Sequence, residues 1–304
     1  MFIFLLLKIN IMKTIKNLTL SFIVTVLFLG VTNVMAINEN SKVPKKAILL
    51  VHFGTTIESA QKTLKNIDQV FRKEFPKTEI RWAFSAKFIR KKLRKLGIHY
   101  DSPEQALAKL GEDGYKNIAV QSLHTIPGSE YTNLKYTVRA FNNMPKGTQN
   151  VVLGNPLLYS HTDMLKVSKA LLANVSNKRK FKEAVLFMGH GSHHYANIFY
   201  PALQYYISKQ DKNTYIGTVE GAPLLEDIIP ELKERKIKTI WLMPLMSVVG
   251  DHALNDLAGD EEDSWKSRLK KLGFNVKIYN KATADMPQIL DIWVSHLRTI
   301  WNNL

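Results

Sequence analysis

From residue 47 onward the chain alternates between two kinds of segment. Short runs rich in aliphatic and β-branched residues, at 47–53, 79–84, 117–123 and 151–153, are separated by stretches of helical period at 58–74, 86–96, 103–112 and 133–141. The alternation then returns, with β runs at 184–188, 214–219, 239–243 and 276–279 and helical stretches at 196–208, 224–235, 264–272 and 286–301. Strands separated by helices require crossover connections and therefore a parallel sheet. The pattern predicts the α/β class, as two units in tandem over 47–165 and 166–304.

The two halves also resemble each other. AILLVHFGT at 47–55 aligns with AVLFMGHGS at 184–192, IRWAFSA at 80–86 with YIGTVEG at 215–221, and the strand-plus-glycine segment at 118–128 with that at 240–250. Each pair is a strand running into a turn, the pattern of an internal duplication. Ligands of open α/β sheets bind outside the carboxyl ends of the strands, so the residues at those ends matter most. In the second half they are His190, Glu220 and His252; the aligned first-half positions are Phe53, Ser85 and Glu130, with no imidazole.

Two imidazoles and a carboxylate suit a divalent first-row ion and leave coordination positions open. The metal-ligand candidates are therefore His190, Glu220 and His252, with His190 and His252 also the candidate proton-transfer groups. Intervals of 30 and 32 residues fit ligands drawn from three strand ends rather than from one short motif. His52 and His124 also end strands, and His193 and His194 follow Gly191; their roles stay open. His99, His161 and His296 carry no chemical context.

Composition narrows the chemistry. There is no cysteine, which excludes disulfides, thiolate metal sites and a cysteine nucleophile. Lysine and arginine number 42 against 26 acids, a formal +16, and call for an anionic partner. Lys13 and Lys16 precede an apolar run at 18–31 that ends in Val34-Met35-Ala36, the form of a secretory signal starting at Met12. Residues 1–36 are thus expected to be a signal peptide and 37–46 a polar tether. The apolar run is short for a membrane span, and no stable membrane insertion is expected. Loss of three lysines and no acid with the signal leaves the mature chain at +13, 39 bases against 26 acids. The expected location is the periplasm.

The basic stretch at 87–95 would suit phosphate, lipid headgroups or the carboxylates of an anionic small molecule at a cleft rim. It has no stacking platform around it, and an exported protein meets little nucleic acid, so no nucleic-acid partner is expected. No Gly-rich phosphate loop follows any strand, and no ATP or NAD is expected. The acid run at 260–263 reads as a solvated helix cap.

Several motifs together resemble a known family. QSLHTIPG at 121–128, FMGHG at 187–191, Val219-Glu220, LMPLMSVVGDHALND at 242–256 and DSWK at 263–266 are similar to the anaerobic sirohydrochlorin cobaltochelatases, class II chelatases of the CbiK type. The resemblance spans essentially the whole mature chain. It implies two Rossmann-like domains around a cleft, with Co(II) or Fe(II) inserted into sirohydrochlorin or a related anionic tetrapyrrole without nucleotide. By motif it places the metal on His190, Glu220 and His252. His52 departs from the family pattern, which has Ser there, and export is a second departure. The likeness extends to exported relatives associated with haem and oligomers, which adds haem as a further ligand and a homo-oligomer as an expectation. The rival expectation is an exported carrier that binds haem or metal on this fold without turnover.

Overall fold

The computed structural model describes residues 44–304; the expected signal, 1–36, and most of the tether lie outside them. Among the described residues no helix is long and apolar enough to cross a membrane.

Among the described residues eight strands form two parallel four-stranded sheets. The first holds β1 (Lys45–His52), β2 (Glu79–Phe84), β3 (Tyr115–Ser122) and β4 (Asn150–Gly154) in the order β2-β1-β3-β4. The second holds β5 (Ala184–Gly191), β6 (Thr214–Glu220), β7 (Thr239–Pro244) and β8 (Asn275–Ile278) in the order β6-β5-β7-β8. Strand order is the same in both, as the internal repeat anticipates. Lys45 and Lys46, expected in the tether, already pair with β3.

The helices are α1 (Glu58–Glu74), α2 (Lys87–Lys95), α3 (Pro103–Glu112), α4 (Ser129–Phe141), α5 (His161–Ala173), α6 (Phe199–Ser208), α7 (Leu225–Glu234), α8 (Trp265–Lys271) and α9 (Pro287–Trp301). Period-2 alternation sorts each central strand between two cores. Ile48 and Leu50 of β1 join Val185 and Phe187 of β5 in one large core, shared by both sheets and by α1, α5, α6 and α9. Ala47, Leu49 and Val51 face α3 and α4, while Ala184, Leu186 and Met188 face α7 and α8. Burial on both faces explains why these strands read as unbroken apolar runs.

Three features differ from the sequence reading. Helix α5 is additional, and the boundary expected at 165 falls inside it. Its start is a reciprocal cap: Asp163 N–H donates to Ser160 Oγ (3.2 Å) and Ser160 N–H donates to the Asp163 carboxylate (2.9 Å). Helix α9 packs on β3, β4 and α5, so it belongs with the first sheet rather than with the second, where chain order alone places it. Its apolar stripe of Ile289, Leu290, Trp293 and Leu297 drives this return into the shared core. Finally, the cap of α8 is Ser264, whose Oγ accepts from Ser267 N–H (3.1 Å); of the acid run before it, Asp260 instead pairs with Lys266 (2.7 Å).

Candidate active site

All eight strands point their carboxyl ends into loops, and the loops of β1, β3, β5, β6 and β7 line one cleft of about 530 Å³. His190 and Glu220 lie at the ends of adjacent strands, where Gly191 pairs with Glu220. That approach requires glycine: Gly191 has φ +80°, and a side-chain carbon there would sit 1.5 Å from the Glu220 carbonyl oxygen. Gly189 has a similar role toward the buried ring of Tyr200, which an added carbon would meet at 2.4 Å. His252 comes from the loop after β7 and enters a single wide turn of π-helix, Ala253–Leu257, a departure from regular helix often found at functional sites.

The structure brings His190 and His252 together. Their ring centroids lie 4.5 Å apart with planes at 83°. Each ring is held through Nδ1: His252 donates to the Asp256 carboxylate at 2.5 Å, and His190 donates to the Gly191 carbonyl at 3.0 Å. Those partners fix the tautomers and leave both Nε2 atoms with a free lone pair, the arrangement of a metal-ligating histidine. Glu220 lines the same cleft and is exposed. Among the described residues no three His, Asp or Glu side chains are gathered closely enough to hold a metal ion. The imidazole pair is therefore assembled, and Glu220 stands on the neighbouring strand tip outside an assembled three-ligand group.

The first sheet contributes a different chemistry to the opposite wall. His52, 2% exposed, accepts a hydrogen bond at Nδ1 from Gly54 N–H (2.9 Å), so its Nε2–H donates to Ser247 Oγ (2.8 Å). Ser247 lies in the loop that leads to His252, and this bond links the end of β1 to the loop after β7. Burial, with a smaller contribution from neighbouring His124, pushes the His52 pKa down to about 3. Burial likewise lowers His124 to about 4, and Ser122 Oγ lies 2.9 Å from its Nδ1. Both rings are neutral at ordinary pH.

The remaining histidines are elsewhere. His194 caps the short turn Tyr195–Ile198 by accepting from Ala196 N–H (3.2 Å), and neither it nor His193 lines the cleft. His161 pairs with the hydroxyl of Tyr206, His99 is exposed, and His296 is bonded to Asp163. Sequence reasoning missed Asp256 as the group behind His252, although the i,i+4 spacing on one helical turn signals it. It also missed Ser247, which no local spacing connects to His52.

The family described as cobalt chelatase (CbiK) matches residues 46–302. The chain is 41% identical over 253 residues to sirohydrochlorin cobaltochelatase CbiKC of Nitratidesulfovibrio vulgaris, covering 83% of this chain and 89% of that one. It is 36% identical over 260 residues to the sirohydrochlorin cobaltochelatase of Salmonella typhimurium, covering 85% and 97%. Among solved structures, SirB from Bacillus subtilis with Fe3+ superposes with TM-score 0.61 at 15% identity, covering 84% of this chain and 94% of that one. CbiX, the terminal enzyme of sirohaem biosynthesis in denitrifying bacteria, gives TM-score 0.53 at 16% identity, covering 83% and 98%. These two share its fold. A match along almost the whole described region, with relatives well above 30% identity, means that this chain belongs to the CbiK family of cobalt chelatases.

Proposed function

We propose that the protein is a metal chelatase that inserts Co(II) into sirohydrochlorin or a related tetrapyrrole, without nucleotide. The observation that carries this reading is the His190–His252 pair, fixed through both Nδ1 atoms and open at both Nε2 atoms, in a cleft at the strand ends. Insertion asks three things of a site: the ion must lose water, the ring must deform, and two pyrrole protons must leave. The paired Nε2 atoms replace water on the incoming ion, and the Glu220 carboxylate, on the neighbouring strand tip of the same cleft, offsets its charge. Fe(II) fits the same donors.

With Nδ1 engaged, each ring has one free lone pair. A histidine that holds the metal is therefore not, at that moment, the one that accepts a proton. As pyrrole nitrogens replace an imidazole on the ion, the freed Nε2 becomes a base. His252 suits this step, because the Asp256 carboxylate behind it offsets the charge the ring acquires. His190, backed only by a carbonyl, is assigned to hold the ion longer and to accept the second pyrrole proton at its Nε2 once the ion has passed to the ring nitrogens. The motif at 12–36 supports export to the periplasm before the protein acts.

Incubation of the purified protein with sirohydrochlorin and Co(II), followed by absorbance, tests the reading. Multiple turnovers are expected, and His190→Ala or His252→Ala should slow insertion at least about tenfold. Turnover unchanged in both variants overturns the assignment. Conversion that stops at one equivalent shows a carrier of haem or metal type instead of an enzyme.

A further inference from the structure

The cleft has an uneven distribution of charge. Its charged lining residues other than histidine are Glu130, Glu220, Asp251 and a single base, Lys92. Helix α2, which carries Lys92, holds six bases, yet most point elsewhere. Arg90 is spent on the backbone, donating to the carbonyls of Phe84 and Ser85 at the end of β2. Lys87, Lys91, Arg94 and Lys95 are solvated and do not line the cleft. Lys92 stands one helical turn beyond Phe88, its Nζ 6.0 Å from the ring centroid.

Phe88 is itself unusual. It is 55% exposed, although α2 buries Ile89 and Leu93 beside it, and it lines the cleft. Its ring meets Phe53 edge to face at 5.8 Å. Phe53 follows β1 and lines the cleft too, so two aromatic rings and one ammonium group share a stretch of the rim, which corrects the expectation of no stacking platform around the basic helix: Phe53 is distant in sequence and only the fold brings it to Phe88. An exposed aromatic wall beside a lone cation matches a flat, unsaturated ring that carries carboxylate arms.

We propose that Phe53, Phe88 and Lys92 form a subsite that takes the edge of the macrocycle and one of its carboxylate arms, and so sets the orientation in which the tetrapyrrole enters. This inference rests on the chelatase reading. Acid arms turned toward Glu220, Asp251 or Glu130 meet like charge, whereas an arm at Lys92 meets the one compensating charge. The macrocycle is thereby held from one side, with its nitrogens left free for the ion at His190 and His252.

Metal-free sirohydrochlorin, titrated into the full chain and followed by quenching of its fluorescence, is the probe. Lys92→Glu is expected to raise Kd about tenfold, from loss of one exposed ion pair and gain of a repulsion. Phe88→Ala should raise it about fivefold through lost stacking. Lys92→Arg should restore binding, and Lys91→Ala on the same helix should leave it unchanged. The Lys92 effect should shrink in high salt, the Phe88 effect should not, and both losses should appear in KM. Both side chains are exposed, so the variants will fold. Unchanged Kd in Lys92→Glu and Phe88→Ala, with normal binding by the parent chain, overturns the subsite alone. A parent chain that binds no sirohydrochlorin overturns the chelatase reading and the subsite with it.

Discussion

Acid should loosen this protein through His52, and the size of the effect follows from its surroundings. Nδ1 of His52 is occupied by Gly54 N–H and Nε2–H by Ser247, so a second ring proton would displace a backbone donor in a site that is 2% exposed. The unfolded chain binds that proton below the ordinary value of 6.5, and the folded chain only near pH 3. The depressed group therefore contributes its full stability above 6.5 and loses it as pH falls toward 3. Each pH unit between them costs about 1.4 kcal/mol, or about 3 kcal/mol on reaching pH 4. A typical domain has only about 5–15 kcal/mol in all. Urea unfolding of the parent chain and His52→Gln at pH 7, 6, 5 and 4 isolates the term, because all other groups titrate in both. Glutamine keeps a donor for Ser247 but leaves Gly54 N–H unpaired, so the variant should be about 1 kcal/mol less stable at pH 7. The parent's stability should then fall more steeply, by about 1.4 kcal/mol per pH unit, and the two curves should cross at about pH 6. Parallel curves would refute the assignment of a dry, neutral His52.

Two further substitutions probe the frame. His296 of α9 bonds to the 5% exposed Asp163 carboxylate at 2.9 Å, joining the last helix to the start of α5. Burial tends to raise the Asp163 pKa, but the bonds from His296 and Ser160 outweigh it and hold the group below the usual carboxylate range. His296→Ala strips a buried charge of a partner and should cost about 3 kcal/mol in urea unfolding at pH 7, whereas a loss under about 0.5 kcal/mol would show that solvent replaces the bond. Gly191→Ala places a carbon on the Glu220 carbonyl at a φ that favours glycine, so β5 and β6 must part at their tips; the melting temperature should drop by several degrees, and an unchanged one would mean the strands tolerate the separation.

The α/β alternation was readable because the central strands β1, β3, β5 and β7 are buried along most of their length and are largely apolar. The repeat also showed, since matched strand-and-turn segments fall at matched places in two sheets of one topology. Helix α5 escaped notice because its cap, Ser160 with Asp163, lies beyond the short fourth strand in a stretch without strong periodicity. The return of α9 to the first sheet was invisible for a different reason: an apolar stripe states that a helix face is buried, not against which sheet. At the site, strand-end position and flanking glycines picked out His190, Glu220 and His252. The bond from His52 to Ser247 spans 195 residues and has no local signature.

The two halves share a strand order and divide the chemistry. The second sheet's tips carry the imidazole pair and Glu220; the first sheet's tips carry Phe53, His52 and His124. A divalent ion between these rows would be repelled by protonated imidazoles on the first wall. Burial prevents that by keeping His52 and His124 uncharged down to about pH 4, so neither ring repels the ion. His52 uses its neutral form to bond Ser247, which holds the loop of His252 against the first sheet. The same desolvation thus lowers the electrostatic barrier to the metal and fixes the distance between the walls. A charged replacement such as His52→Lys should damage both at once, weakening Co(II) binding in proportion to added charge, while His52→Gln should leave metal affinity within about threefold.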